Sequence, residues 1–388
     1  MLKTWRLTKT IGLTAAVLGG AATVVGAAGV GVAAYFMRRI VTPERDQPED
    51  ARIVGLTSAT VTFEREEQAL APGRYGLWLD HGAGHARIGE IISQDDESRT
   101  VTRELLGVDE GTIELGPARW SGYYYAGPPS ESLGLPCQEI TVRGPVGDLP
   151  AWLVPGHGER ADRWAVLVHG RGALRDECLR ALPTLRELGL TSLVVGYRND
   201  IDGPASTDGR YNLGLSEWED VDAAIRHALD RGASEVVLFG WSMGGAIVLQ
   251  ALDRSPVADR VSKVVLNAPV IDWGDVISHQ ADINRVPSPL AALGRELLSG
   301  TVSRRVIGVA QPVDVAETNW VARADELRHP VLLIHSEDDE FVPCGPSAAL
   351  ADARPDLVTF ERWKVARHCR EWNVDPVRWE SVVHEFCR

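Results

Sequence analysis

Apolar and polar residues follow three different patterns along the 388-residue chain. Residues 10–37 carry no charge, residues 53–136 hold short alternating stretches bounded by glycine and proline, and residues 137–388 alternate between apolar runs and amphipathic segments. A period of two is typical of strands, and a period of 3.6 is typical of helices. The chain is therefore predicted to contain an N-terminal hydrophobic helix, a small β-rich domain of unknown role and a larger α/β domain.

The largest part, residues 137–388, predicts a mostly parallel sheet with helices on both faces. Apolar runs such as RWAVLVHG, EVVLFGWS and PVLLIHS predict buried strands, and helical segments separate them. One of these helices follows a predicted capping box formed by Ser216 and Glu219. Catalytic groups of such sheets lie at the carboxyl ends of the strands. The interval of about 271–327 has helical pieces but no strand, which predicts a lid or cap inserted over that edge.

The hydrophobic stretch from Thr10 to Met37 is long enough to cross ~30 Å of hydrocarbon. We interpret it as a single-pass anchor in the cell membrane, between a short basic tail (1–9) and a charged linker (38–52). A signal peptide cleaved after Ala28 and a buried helix remain open as alternatives. Basic residues flank both ends of the stretch, and the basic tail favours an extracytoplasmic catalytic domain.

Charge and cysteine content bear on partners and cofactors. The formal net charge is −14, while residues 1–45 are net positive, so the body of the protein is strongly acidic and nucleic acid is not an expected partner. Five scattered cysteines without a CxxC pair predict neither a disulfide scaffold nor a zinc site. Glycines between His81 and His85 disfavour the helix that would align them as ligands. No metal and no cofactor are expected, and the oligomeric state is not predicted.

A serine lies in the pentapeptide GWSMG, residues 240–244, between an apolar strand and an apolar helix. Flanking glycines permit a tight turn that presents the Ser242 hydroxyl at the sheet edge and directs the Met243 N–H towards a developing oxyanion. A glycine-rich chain can match this motif by chance, so a structural serine is the alternative. A catalytic serine also requires a base late in the chain and an acid before that base.

The chain supplies both groups in that order. Asp338 and Asp339 follow the strand VLLIHS, and His368 follows the strand LVTFERW, so both loops are predicted at the edge that carries Ser242. A second oxyanion donor is expected from the turn in VLVHGRG, where two glycines let the Arg171 backbone N–H approach the same point.

These four segments resemble the serine hydrolases of the α/β-hydrolase superfamily. The set that includes GWSMGG, HGRG and YRND is similar to membrane-anchored or secreted hydrolases of actinobacterial type. The resemblance covers residues 137–388 and implies an α/β-hydrolase fold with a lid. It also implies the following roles: nucleophile, Ser242; acid, Asp339; base, His368; oxyanion-hole amides, Arg171 and Met243.

Asp339 is preferred to Asp338 because it fits the family pattern His-Gly-x-x-Asp-x-x-Val-Pro, which aligns on His335, Asp339, Val342 and Pro343. Ser336 departs from this pattern, since the family usually has glycine there. Asp272 is an alternative acid, because some members of the superfamily place the acid after the preceding strand. His384 is expected on the surface of the last helix, His169 and His335 are expected to shape turns, and Cys344 and Cys369 are expected to be unlinked thiols.

The predicted function is that of a serine hydrolase that cleaves a carboxylic ester through a Ser-His-Asp triad and an acyl-enzyme. A lipid or small acyl ester is the favoured substrate, because a membrane anchor and an apolar lid would place the site near acyl chains. Two other functions remain open: a serine peptidase or aminopeptidase of the same fold, and a non-catalytic binding module tethered to the membrane.

Overall fold

The computed structural model describes residues 29–44 and 47–388. This part of the chain holds an N-terminal helix, α1 (29–41), then a closed barrel and an eight-stranded sheet with its helices. A connection with one short helix, α2 (Pro129–Ser132), joins the barrel to the sheet.

The β-rich part of the sequence forms a closed antiparallel barrel that ends at Ser121. Its strands are β1 (Ala51–Leu56), β2 (Thr60–Glu64), β3 (Tyr75–Leu79), β4 (Gly84–Asp95), β5 (Thr100–Glu110) and β6 (Gly116–Ser121). They are ordered β1-β2-β5-β4-β3-β6, and β6 pairs with β1 to close the sheet. Closure is favourable because it leaves no long strand edge unpaired. The inward positions of the alternating pattern, among them Val61, Phe63 and Leu77, form the barrel core.

The second sheet has the order β14-β13-β12-β11-β9-β10-β8-β7. Its strands are β7 (Gln138–Arg143), β8 (Asp148–Val154), β9 (Arg163–Val168), β10 (Thr191–Val195), β11 (Glu235–Trp241), β12 (Val261–Asn267), β13 (Val331–Ser336) and β14 (Val358–Trp363). The six strands β9 to β14 are parallel. The hairpin of β7 and β8 pairs with β10 through β8, in antiparallel orientation.

Helices cover both faces of this sheet, so its central strands are apolar on both sides. They are α3 (Leu182–Glu187), α4 (Trp218–Asp230), α5 (Met243–Arg254), α9 (Gly345–Ala353), α10 (Glu371–Val374) and α11 (Pro376–Cys387). Val166 and Leu238 face the cluster that contains α4 and α5, whereas Leu167 and Phe239 face the cluster that contains α3 and α11. This is the arrangement expected of a parallel sheet with no solvent-exposed face.

The interval between β12 and β13 contains helices α6 (Trp273–Ile283), α7 (Ser288–Ser299) and α8 (Arg304–Ile307). It lies against the carboxyl edge of the sheet. Helix α6 of this interval contacts the loop after β13. The side chain of His279 lies 3.3 Å from the Glu340 carbonyl oxygen, and the side-chain amide of Gln280 donates to the Phe341 carbonyl over 2.9 Å.

Helix α1 packs on the α/β domain, which corrects the predicted membrane span. Ala33, Ala34 and Met37 are buried in the same apolar cluster as α4 and α5. A Cβ added to Gly294 of α7 would lie 2.8 Å from Met37 Cγ, so α1 and α7 are in close contact. The span over 29–37 is not supported, because these three side chains are buried against the rest of the protein, while Val32 and Tyr35 on the other side of the helix are exposed. The predicted linker over 38–52 likewise begins inside α1.

In residues 29–44 and 47–388, no helix has both the length and the apolar character needed to cross a bilayer. Residues 10–28 of the predicted span, and the basic tail before them, lie outside the described residues.

The packing of α1 predicts a measurable contribution to stability. Met37→Ala would leave a cavity under α1, and we expect it to lower the free energy of unfolding by about 2–5 kcal/mol. Val32→Ala, on the exposed side of the same helix, should change it by less than about 0.5 kcal/mol. Urea unfolding followed by tryptophan fluorescence measures both. Equal effects of the two variants would contradict the packing described here.

Candidate active site

Ser242 occupies the sharp turn between β11 and α5. Its backbone has φ 50° and ψ −119°, a conformation that residues other than glycine adopt rarely and at an energetic cost. A Cβ at Gly240 would lie 2.7 Å from the Gly245 backbone, and a Cβ at Gly244 would lie 2.2 Å from the Val168 carbonyl oxygen. The two glycines of the motif are therefore needed for the close approach of α5 to the strands, and this approach holds the serine in its strained conformation.

Three side chains from three loops form one hydrogen-bonded chain. Ser242 Oγ lies 2.9 Å from His368 Nε2, and His368 Nδ1 lies 2.7 Å from Asp339 Oδ2. A carboxylate can only accept, so Nδ1 carries the proton and Nε2 is free to accept the proton of the serine hydroxyl. The structure thus brings together the predicted nucleophile, base and acid.

The Asp339 carboxylate is fixed on all sides. Its Oδ1 accepts the amides of Phe341 and Val342, each over 2.8 Å. Its Oδ2 lies 3.1 Å from His335 Nε2, which is also 3.1 Å from the Val342 carbonyl oxygen. Both partners of that nitrogen are acceptors, so His335 donates from Nε2. The histidine predicted to shape a turn therefore also orients the acid.

Electrostatics favours an ionised acid and a strongly basic histidine. Burial alone would raise the pKa of Asp339, but the charge of His368 and hydrogen bonds from His335 and His368 hold the pKa well below its usual range. Burial alone would lower the pKa of His368, but the Asp339 carboxylate raises that pKa well above its ordinary value. Asp339 therefore stabilises the imidazolium that forms when His368 takes a proton.

The turn after β9 lies directly beside the serine. A Cβ added to Gly170 would lie 3.0 Å from Ser242 Cβ. The Gly170 carbonyl accepts from the Tyr197 hydroxyl over 2.7 Å and lies 2.9 Å from His169 Nδ1. Because the carbonyl and N–H of a trans peptide point in opposite directions, the N–H of Arg171 is turned away from these two donors.

Two backbone amides remain available beside Ser242, one in this turn and one at the start of α5. Within the part of the chain that the structure describes, the Arg171 N–H has no hydrogen-bond partner. Met243 is the first residue of α5, where an amide lies outside the helical hydrogen-bond ladder and at the positive end of the helix dipole. Both are the donors predicted from the sequence.

Buried polar groups that the sequence analysis did not identify hold this turn. The Gly170 amide donates to Glu177 Oε2 over 2.7 Å. His169 Nε2 lies 2.7 Å from Asp200 Oδ2; burial acts to lower the pKa of His169, but the Asp200 charge raises it. Asp200 ends the YRND segment, but neither it nor Glu177 has a spacing that relates it to this turn, so only the fold reveals their roles.

Ser336 replaces the glycine that the family usually has, and its hydroxyl has a structural role. It accepts the amide of Asp338 over 3.2 Å and the amide of Ala366 over 3.0 Å. The first belongs to the loop of the acid and the second to the loop of the base. This serine therefore ties the two loops together.

The alternative residues have other roles. Asp272 accepts the Gly274 amide over 2.7 Å and caps the N terminus of α6, and the Asn319 side chain donates to its second oxygen. His384 lies on α11, beside a groove that Thr184 also lines. Cys344 and Cys369 are free thiols.

Two further ionisable groups lie close behind the triad. Cys369 Sγ is 3.7 Å from His368 Nε2, and burial raises the pKa of this thiol to about 12. Glu371 is fully buried and accepts from the Asn267 side chain over 2.7 Å. Burial raises the pKa of Glu371 to about 8, so at neutral pH it adds no second negative charge behind His368. Over residues 29–44 and 47–388, no cluster of three or more histidine, cysteine and carboxylate side chains could hold a metal ion.

The sequence and the fold both match known proteins. The sequence pattern described as the alpha/beta hydrolase family matches residues 153–383, and a domain of unknown function, DUF8805, matches residues 52–121. Comparison with curated proteins gave no match.

Among solved structures, the esterase Pf2001 of Pyrococcus furiosus superposes with a TM-score of 0.51 and 17% identity, over 67% of this chain and 92% of that one. A second crystal form of that esterase superposes with a TM-score of 0.50 and 17% identity, over 68% of this chain and 97% of that one. The esterase domain of a Rhodothermus marinus protein superposes with a TM-score of 0.44 and 20% identity, over 65% of this chain and 98% of that one.

At 17% identity, the structural similarity to Pf2001 supports the fold and not a shared function. The match of the sequence pattern extends over more than half of the chain and includes the turn that carries Ser242 and the loops that carry Asp339 and His368. The predicted α/β-hydrolase fold is thereby confirmed, and the chain belongs to the alpha/beta hydrolase family.

Proposed function

We propose that this chain is a serine hydrolase that cleaves carboxylic esters through an acyl-enzyme. The observation that carries the proposal is the continuous chain from Ser242 Oγ through His368 to Asp339, with distances of 2.9 and 2.7 Å. Such a chain activates a hydroxyl that is otherwise a weak nucleophile. The name of the Pyrococcus furiosus protein as an esterase agrees with it.

The reaction proceeds in two steps. His368 Nε2 takes the proton of Ser242 as its oxygen attacks the ester carbonyl, and the amides of Arg171 and Met243 donate to the resulting oxyanion. The imidazolium then protonates the leaving alcohol, and an acyl-serine remains. In the second step His368 takes a proton from water, hydroxide adds to the acyl carbonyl, and collapse returns the proton to Ser242 Oγ and releases the acid.

The surroundings of the base favour an ester over an aminopeptidase substrate. An aminopeptidase would need unpaired carboxylates to bind the substrate amine. The acids next to the His368 loop, Glu340 and Glu67, both lie against the Arg367 guanidinium. The ring of Phe341 lies 5.4 Å from the His368 ring and is 42% exposed, which gives the site an apolar rim.

Membrane attachment is a further part of the proposal. Thr10–Ala28 is a stretch of uncharged residues immediately before α1. A stretch of about 19 residues would reach ~28 Å if it were helical, close to the thickness of a bilayer core. We propose that this shorter stretch anchors the enzyme, with the catalytic domain on the extracytoplasmic side. Fractionation of expressing cells, with and without residues 1–28, tests this placement.

Loss of the nucleophile tests the catalytic role. Ser242→Ala removes the attacking oxygen, and we expect hydrolysis of p-nitrophenyl acetate to fall by about 10⁴-fold or more, with an unchanged melting temperature. Ser262→Ala, on strand β12 remote from the triad, is the matched control and should keep wild-type activity. Retention of more than a tenth of wild-type activity by the Ser242 variant would refute the assignment.

The pH dependence tests the base. His368 must be neutral to accept a proton, and its pKa is raised, so kcat/KM should increase with pH through an apparent pKa above the ordinary histidine value of about 6.5. Asp339→Asn should lower both kcat and that apparent pKa. A profile measured from pH 5 to 10 decides this, and an acidic limb centred at or below the ordinary value would be inconsistent with the pair described.

Substrate class is tested with matched leaving groups. We expect p-nitrophenyl esters to be cleaved with kcat/KM at least about 100-fold higher than aminoacyl p-nitroanilides, and chain lengths from two to twelve carbons to map the acyl site. Faster cleavage of the anilides would establish the peptidase alternative. If neither class is hydrolysed and Ser242 stays unreactive, the chain is a binding module.

A further inference from the structure

The barrel contacts the α/β domain at the loop that carries the catalytic base. The loop between β2 and β3, residues 67–74, lies against residues 367–374, and His368 is the second residue of that segment. We call these two stretches the docking loop and the histidine loop.

Asn373 is the centre of the junction. The Arg74 amide donates to the Asn373 carbonyl over 2.9 Å, and the Asn373 side-chain amide donates to the carbonyls of Arg74 and Gly122 over 2.7 and 2.9 Å. Gly73 has φ +97°, and a Cβ there would lie 2.2 Å from the Asn373 carbonyl oxygen. The backbones are thus in direct contact, and Asn373 is fully buried between them.

Side chains extend the junction towards His368. Arg370 Nη2 donates to Gln68 Oε1 over 3.0 Å, and the guanidinium of Arg367 forms an ion pair with Glu67. Arg370 and Arg367 flank the base at close sequence distance. The docking loop therefore contacts the histidine loop on both sides of His368.

The interior of the barrel fixes the docking loop. Arg103 is completely buried in the barrel, and its guanidinium donates to the carbonyls of Ala69, Ala71 and Gly73 over 3.0, 2.6 and 2.6 Å. The Gly73 amide in turn donates to Glu90 Oε2 over 3.2 Å. A buried guanidinium with this many partners is costly to disturb, so the loop has one conformation set by the barrel.

A second buried arginine connects the junction to both halves of the catalytic site. Arg180 Nη1 donates to the Cys369 carbonyl over 2.5 Å and to Asn373 Oδ1 over 3.3 Å, and its Nε donates to the Glu177 carbonyl over 2.8 Å. Cys369 is the neighbour of the base, and the Glu177 side chain accepts the Gly170 amide in the turn after β9. The Asn373 side chain therefore lies between the barrel and the groups that position the base and the oxyanion donors.

We propose that the barrel serves as an intramolecular support for catalysis, and that Asn373 is a positioning residue that holds the histidine loop in register with Ser242 and Asp339. The inference rests on the proposed hydrolase function. A misplacement of about 1 Å in such a constellation can lower a rate by about 100-fold, so the support is of catalytic consequence.

Kinetics of Asn373 variants test the inference in the full chain. Asn373→Asp keeps the shape and the acceptor for Arg180 but turns an anion towards the Arg74 and Gly122 carbonyls. Asn373→Ala removes the side chain. We expect both to lower kcat for p-nitrophenyl acetate by about 10- to 100-fold while KM changes by less than about 3-fold, because the base and not the substrate site is displaced.

The acidic limb of kcat/KM should also move to lower pH in Asn373→Ala, which introduces no new charge near the base. A displaced His368 loses part of the Asp339 contact that raises its pKa. The other groups that face His368 are not substituted in these variants: Ser242 and Cys369 at Nε2, Glu340 at the backbone amide and Glu371 behind the loop.

Ile53→Ala is the matched control, since Ile53 is buried in the barrel core on β1 and its strand partners are Phe63 on β2 and Gly116 on β6, outside the docking loop. Assayed well below its melting temperature, it should keep the wild-type kcat and pH profile although it destabilises the barrel. If an Asn373 variant does not fold, Gln68→Ala, at the partly buried edge of the junction, takes its place with a smaller loss of kcat in the same direction. Wild-type kcat and pH profile in the junction variants, or equal losses in Ile53→Ala, would overturn the inference. An inert wild-type enzyme would instead refute the proposed hydrolase function.

Discussion

The buried Asp339 carboxylate is the constraint on which the rest of the site depends. A negative charge in this position is costly unless every lone pair has a partner, and four donors meet that need: the amides of Phe341 and Val342, His335 and His368. The fourth of these donors is His368, the proposed base. The requirement that stabilises the acid thereby fixes the tautomer and the orientation of His368, and leaves Nε2 directed at Ser242.

The other parts of the molecule hold this arrangement from outside. Helix α5 and the strained turn at Ser242 place the nucleophile, the turn after β9 places the Arg171 amide, and the barrel holds the loop of the base. The Arg171 guanidinium, in turn, donates to carbonyls at the end of α1, among them that of Ile40 over 2.7 Å. The N-terminal helix and the barrel thus both contact the catalytic loops, which gives these two additions to the hydrolase domain a physical connection to its chemistry.

The features that the sequence predicts well have a local cause. The apolar runs and the glycines at 240 and 244 specify strands and a tight turn, and the order of Ser242, Asp339 and His368 follows from the order of parallel strands. For features that depend on contacts between distant residues, the predictions from the sequence were wrong or no prediction was made. The capping box of Ser216 and Glu219 does not form, because α4 begins at Trp218 and Glu219 pairs with Arg198 over 2.8 Å. The apolar residues of α1 are similar to those of a membrane segment, and only the structure shows that α7 contacts them. No sequence period relates Asn373 to the docking loop or Glu177 to the turn after β9.

The most direct measurement is the identification of the residue that a serine-directed fluorophosphonate modifies. The wild-type protein would be treated with the probe, digested and sequenced by mass spectrometry. The triad described here predicts one adduct, on Ser242 in the peptide that contains GWSMGG, formed at a rate that falls as His368 becomes protonated. An adduct on another residue, or an unmodified Ser242 in a preparation that hydrolyses esters, would contradict it.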